Sequence, residues 1–299
     1  MIIIKIRNKL SLMFYKCMDT VYKNFKHIHI MNILTTLDYI NENKCSVSRY
    51  GDGEFGLIIN NSSIGFQHYD RNLSEQLKRI LQNGNEKCLI CIPGFWAKEN
   101  ERFYSKGTKE FWDKQLPYYR KEYYKFCDLD YNYGDANISR FFLGVKDKAI
   151  MPVIIQKWKK LWNKCDVVIV EGELSRLGVG IDLFDNASTI KRILCPAEDA
   201  FSKYNDIIDI IKKNVKKHEL LLFALGPTAT CLCYDLSQLG YQAIDIGNID
   251  KEYEWYKSGA KQKKRNQYKY SIEVEDGTDV VDCDDLDYLN QIWIRIDER

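Results

Sequence analysis

Cys45-Ser46-Val47-Ser48-Arg49-Tyr50-Gly51-Asp52-Gly53-Glu54-Phe55-Gly56 joins a short strand-like run to a cluster of glycines and acids. As a glycine pattern, Gly51 to Gly56 reads G-x-G-x-x-G, the turn that opens a dinucleotide-binding unit. As a charge pattern it is an Asp-x-Glu, Asp52 and Glu54, held in a tight turn after a strand. A dinucleotide turn brings backbone N–H groups against a pyrophosphate, and two carboxylates would crowd that anion. Two unit charges ~4 Å apart interact by about 4 kcal/mol at an effective dielectric of about 20. A divalent cation, Mn²⁺ or Mg²⁺, reverses the sign, because carboxylate oxygens hold it and it holds a diphosphate. The apolar run Leu57-Ile58-Ile59 also stops at Asn60-Asn61-Ser62-Ser63, too soon for a full crossover helix, and Asp70 follows no clear second strand. Metal plus diphosphate is the preferred reading, with a dinucleotide site and a purely structural turn as alternatives.

Outward from this turn a unit recurs: a short apolar strand, a glycine-bearing or charged turn, an amphipathic helix. Strands are predicted at 45–49, 87–92, 165–170, 190–194, 219–225 and 242–246. Helices are predicted at 71–83, 108–125, 150–163, 198–216 and 228–239, after a lead-in at about 5–25 and 30–42. Such alternation implies an α/β fold with a mostly parallel sheet flanked by helices. The aromatic-rich stretch 96–145 reads as an insertion or lid. The C-terminal charges are segregated, basic from Lys257 to Lys269 and acidic from Glu273 to Asp287, and the acidic run reads as solvated surface.

With 44 Lys plus Arg against 42 Asp plus Glu, the chain lacks the basic footprint of a duplex nucleic-acid binder. Its 45% hydrophobic content across 299 residues is that of a globular protein. The ten cysteines lie largely in apolar runs, and Cys88-x-x-Cys91 has no second pair at zinc spacing. With no cleavable signal visible, buried free thiols in a reducing cytoplasm are expected. No run approaches ~20 apolar residues. Residues 1–30 interleave apolar side chains with Lys5, Arg7, Lys9, Lys16, Lys23 and Lys26, which suits either packing on the chain's own domain or peripheral membrane contact.

Ligands of open parallel sheets bind outside the carboxyl ends of the strands. After 219–225 comes Gly226-Pro227-Thr228, where glycine allows close approach, proline suits a first helical position and free N–H groups face a phosphate. Arg176, between glycines after 165–170, suits either a phosphate or an ion pair with Glu171 or Glu173. Arg140 carries the same two readings, and its apolar flanks predict a strand. Asp245, Asp250, Glu252 and Glu254 offer a third metal ligand or a general base, although a helix N-terminus also collects acids.

Five segments together resemble a known family. They are Ser48–Glu54, Glu171–Gly180 with Asp182-Leu183-Phe184, Arg192–Ala197, Leu225–Thr230 and Asp245–Trp255, and they look like the GT-D type bacterial glycosyltransferases, once catalogued as a domain of unknown function and associated with surface-glycan and adhesin glycosylation. The resemblance covers residues 31–270, leaving an N-terminal amphipathic segment, 1–30, and an acidic tail, 271–299. It implies a Rossmann-like fold, a nucleotide-sugar donor (UDP-linked in this reading) and a metal-binding Asp52 and Glu54. A hexose would pass to a glycan or glycoprotein acceptor. Arg49, Gly51, Gly53, Arg140, Arg176, Gly226, Pro227 and Thr228 are then expected on the donor, with Asp250 and Glu254 near the acceptor or the metal. One departure is Asn248, where the family pattern leads one to expect His; Asn can offer an oxygen but cannot titrate near neutral pH. The rival readings are a dinucleotide-dependent oxidoreductase and a non-catalytic partner protein.

Overall fold

The computed structural model describes residues 13–23 and 26–297. Among these, nine strands form one sheet: β1 (His29–Ile30), β2 (Ser46–Arg49), β3 (Cys88–Ile92), β4 (Asn132–Asp135), β5 (Asp166–Gly172), β6 (Thr189–Cys195), β7 (Leu220–Ala224), β8 (Ala243–Asp245) and β9 (Ile292–Arg295). Their spatial order is β1-β4-β3-β2-β8-β7-β5-β6-β9, and every neighbouring pair runs parallel. Successive side chains explain why. Val168, Val170, Leu221 and Phe223 enter one apolar cluster, while Val167, Ile169, Leu220 and Leu222 enter the other. A strand buried on both faces needs an unbroken apolar run and helices on each side. Each such side chain contributes about 1.5–3 kcal/mol on burial.

From β2 the chain proceeds to β3 and β4 on one side, while β5 to β8 occupy the other. The two halves meet at the β2–β8 seam, and an open sheet offers its ligand crevice where strand order reverses in this way. The helix Pro227–Gln238 locks the seam from one face. Thr230 Oγ1 donates to the Arg49 carbonyl at 2.8 Å, and Ser48 Oγ donates to the Thr230 carbonyl at 2.7 Å.

All six predicted strands are present, with ends shifted by a residue or two. Three further strands carry little local signal: β1 has two residues, β4 reads Asn-Tyr-Gly-Asp, and β9 lies beyond the acidic run. Several expectations are corrected. The acids at 52 and 54 do not sit in a tight turn, because a helix runs Asp52–Asn60 and ends on a left-handed Asn61. Arg140 is not on a strand but between a 3₁₀ turn, Ala136–Ser139, and a short helix, Phe141–Gly144. The stretch 96–145, read as an insertion or lid, contributes β4 to the sheet beside β3. The acidic tail exposes most of its charges, yet β9 extends the sheet beside β6 and Tyr288 is buried. Of the N-terminal segment, a helix covers 13–23, while 1–12 and 24–25 lie outside the described residues.

Candidate active site

A cavity of about 660 Å³ opens at the carboxyl ends of the strands beside the seam. It is lined by Arg49 to Glu54 after β2, Ala224 to Gly226 after β7, and Asp245 with Gly247 after β8. Arg140, the acids Asp250, Glu252 and Glu273, and Lys251 complete its polar wall.

Gly51 caps the helix Asp52–Asn60 in extended backbone, and its N–H donates to Glu54 Oε2 at 2.7 Å. That is the carboxylate half of a capping box. Consecutive helical side chains turn by about 100°, so residues two apart point to nearly opposite sides. Glu54 accordingly folds back on the helix start, while Asp52 is exposed and makes no hydrogen bond or ion pair among the described residues. Loss of hydration pushes the Glu54 carboxyl up to about 7, against the Gly51 N–H that favours its ionised form. A Glu in the unfolded chain titrates near ~4.3, so between the two values the native state holds a proton that the unfolded state has released. Stability therefore falls as pH rises through that window. Urea unfolding at about pH 5 and about pH 8 should show this loss in the native sequence and not in Glu54→Gln. Parallel curves for the two proteins would contradict the assignment.

Arg49 ends β2 and Asp245 ends β8. The Arg49 Nη2 pairs with Asp245 Oδ1 at 2.7 Å, Nε donates to the Asp245 carbonyl at 2.8 Å, and Nη1 donates to the Ala136 carbonyl at 3.3 Å. One guanidinium thus ties the seam to the end of β4. Gly247 has φ +46, and a Cβ there would lie 2.0 Å from Arg49 Nη2, so glycine is required twice over. Gly226, with φ +54, is similarly constrained: a Cβ would meet the Phe66 ring at 2.2 Å. Gly226 lines the cavity. Pro227 and Thr228 do not, and Thr228 is buried with its hydroxyl 3.4 Å from Gln67 Oε1.

Arg140 makes a forked pair with Glu273 at 2.6 and 3.2 Å. Glu273 also accepts from Asn248 Nδ2 at 2.7 Å and Lys263 Nζ at 2.6 Å. Burial opposes its ionisation, but Arg140 and Lys263 outweigh it and hold the carboxyl at about 2. The residue at the departed His position thus serves a carboxylate contributed by the tail. Glu252 accepts the Phe142 and Leu143 N–H groups at 2.7 and 2.9 Å, fixing the short helix that carries Arg140. Asp250 and Lys269 are each 1% exposed and pair at 3.0 Å, and Lys269 also reaches Glu254 at 2.5 Å. Asp250 faces the cavity; Glu254 does not.

Arg176 fits neither expectation. It has φ +48, does not line the cavity, and donates through Nη1 to the Tyr268 and Val281 carbonyls at 2.9 and 2.5 Å, pinning the tail. Glu171, its expected partner, pairs instead with the buried Arg192 and accepts the Leu177 N–H at 2.6 Å. Sequence reasoning missed Glu273, Lys263 and Lys269 as site or supporting residues, because they sit within charge runs that carry no local sign of burial.

The donor set at Asp52 and Glu54 is all oxygen, which suits Mg²⁺ or Mn²⁺. Among the described residues no group of three or more His, Cys, Asp or Glu is placed to hold a metal ion. Magnesium sites of nucleotide enzymes commonly need only one or two carboxylates, with phosphates and water completing the shell. The exposed Asp52 carboxylate offers oxygen ligands to a cation of that kind, whereas Glu54 is turned back onto the Gly51 N–H.

A parallel sheet with its cleft at the switch point, and acids, arginines and a glycine-capped helix around that cleft, defines an α/β protein whose ligand crevice lies at the β2–β8 seam. A family model described as the glycosyltransferase GT-D fold matches residues 47–274, and the chain belongs to that family. It is 38% identical over 280 residues to glycosyltransferase GlyD of Streptococcus pneumoniae serotype 4, covering 93% of this chain and 34% of GlyD. It is 40% identical over 271 residues to the probable glycosyl transferase Gly of Streptococcus gordonii, covering 89% and 39% of the two. The chain thus spans about a third to two fifths of the length of these curated relatives. Among solved structures, a new glycosyltransferase (DUF1792) from Streptococcus sanguinis superposes with a TM-score of 0.85 at 38% identity, covering 91% of this chain and all of that one. A second, described as domain of unknown function 1792 with a distinct glycosyltransferase fold, gives 0.85 at 39% identity, covering 92% and 98%.

Proposed function

We propose that this chain transfers a hexose from a nucleoside diphosphate sugar, UDP-linked, to a glycan or glycoprotein acceptor, with a divalent cation at Asp52. The observation that carries the reading is the Asp52 carboxylate, exposed and unpartnered among the described residues, at the wall of a switch-point cavity in a chain of the GT-D glycosyltransferase family. In the transfer, the bond from the sugar's anomeric carbon to the phosphate oxygen breaks and a bond to the acceptor oxygen forms. The acceptor hydroxyl gives up a proton and the nucleoside diphosphate departs.

Charge on the departing diphosphate is the main electrostatic demand. A cation held at Asp52 would supply that neutralisation when bound. The residues of the chain do the rest. Gly51, Gly53 and Gly226 bring main chain to the cavity wall, where its N–H groups would face the phosphates. Arg49 holds the β2 and β8 ends in register. Arg140, fixed by Glu252 and Glu273, presents positive charge on the same wall. Asp250 faces the cavity as the candidate to receive the acceptor proton, and Glu254 positions it by sharing Lys269. The ten free cysteines, most of them buried, are in keeping with the proposed cytoplasmic setting.

A thermal-shift series tests the donor reading, using UDP alone, Mn²⁺ alone and both together. Ligand at ~100 times its Kd stabilises by about 2.7 kcal/mol. The full shift is expected only with both present, since Asp52 and its neighbouring acids repel a bare diphosphate. Equal shifts with UDP alone and with UDP plus Mn²⁺ would remove the metal bridge.

A further inference from the structure

The helix over 13–23 has two unlike faces. Its inner face is fixed to the domain. Arg120, buried, donates to Asp19 at 2.5 Å, Lys23 pairs with Glu101, and the Tyr15 and Tyr22 rings lie 4.9 and 5.7 Å from those of Tyr118 and Tyr124. Its outer face carries Met13, Phe14, Met18 and Val21, all about half exposed, with exposed Cys17 among them. This spacing places them on one stripe of the helix. Tyr118, also exposed, carries the stripe onto the helix Lys106–Phe126, with exposed Lys114 and Lys121 about one turn to either side. Single exposed apolar residues are ordinary, but a contiguous patch marks an interaction surface.

Charge selects the occupant. From Met1 to Met18 the sequence carries Lys5, Arg7, Lys9 and Lys16 and no acid, interleaved with Ile, Leu, Phe and Met. The chain as a whole is nearly neutral, so this excess is local. Apolar side chains beside basic ones suit the headgroup boundary of an anionic bilayer. A second copy would bring the same positive charge against itself across a two-fold contact. We infer that the outer face of helix 13–23, extended by Tyr118, docks on an anionic lipid surface. Phe111, seven residues before Tyr118 and so on the same helical face about 10 Å away, lines the cavity. Docking therefore brings the Phe111 wall of the cavity within about two helical turns of the lipid. That consequence for the acceptor rests on the proposed transfer, whereas the docking itself does not.

Flotation of the full chain with phosphatidylcholine vesicles, and with vesicles also containing phosphatidylglycerol, tests the inference. Binding is expected only with phosphatidylglycerol and should be lost at high salt. Phe14→Asp/Met18→Asp should lower the bound fraction about tenfold, and Leu289→Asp, at an exposed apolar site on the C-terminal helix, should leave it unchanged. Absent flotation, flotation that the double variant retains, or a dimer in sedimentation that the double variant dissociates would each overturn the lipid assignment. The readout is binding alone, so it is independent of whether any sugar is transferred.

Discussion

Asp52→Asn is expected to reduce sugar transfer by two to three orders of magnitude, roughly 3–4 kcal/mol of transition-state stabilisation, while leaving the fold in place. The substitution keeps shape and hydrogen-bonding capacity but removes a charge that a cation requires. Asp52 is exposed and lacks a hydrogen-bond or ion-pair partner among the described residues, so packing loses nothing. The one structural cost is at the helix start, where an acid in the first turn is worth about 0.3–1 kcal/mol. Release of the free nucleoside diphosphate from a panel of nucleotide sugars, measured beside the melting temperature, separates the two effects. A variant that melts slightly lower and turns over normally would make Asp52 a helix-stabilising residue and nothing more.

Lys269→Met should destabilise the protein by about 3–5 kcal/mol, the usual consequence of removing one member of a buried ion pair. Lys269 and Asp250 are each 1% exposed, and Lys269 also holds Glu254. Without the ammonium, Asp250 is left charged and without its cation in a desolvated position. Burial disfavours the lysine's charge, but the two carboxylates more than compensate and its pKa is raised. The double variant Lys269→Met/Asp250→Asn should recover much of the loss, because the uncompensated charge has gone. Urea unfolding of both variants decides it. A single variant within about 1 kcal/mol of the native sequence would show that the pair is more hydrated than its burial implies.

The parts of the fold legible in sequence were those governed by short-range pattern. β5 and β7 are buried on both faces and therefore read as unbroken apolar runs, and the turns after β2, β7 and β8 supply the cavity wall. What escaped was set by partners distant in sequence. β4 reads Asn-Tyr-Gly-Asp and is a strand because β1 and β3 lie beside it. Glu273 looks like one acid among eight in the run from Glu273 to Asp287, yet Arg140, 133 residues earlier, draws it into the cavity. The Asp-x-Glu was found, but its shape was not: Glu54 caps its own helix, a capping-box position that the glycines around it masked. Arg176 was misassigned because a charge between glycines suggests an open phosphate loop, whereas here the left-handed backbone turns it onto two carbonyls of the tail.

The central claim is that the cavity beside Asp52 holds a metal-bridged nucleoside diphosphate. Crystals grown with UDP and Mn²⁺, with data collected at the manganese absorption edge, test it most directly. The account predicts an anomalous peak in direct contact with an Asp52 carboxylate oxygen and with diphosphate oxygens, and the nucleotide running toward Gly226. Manganese bound elsewhere, or UDP seated in the cavity with no metal between it and Asp52, would contradict it.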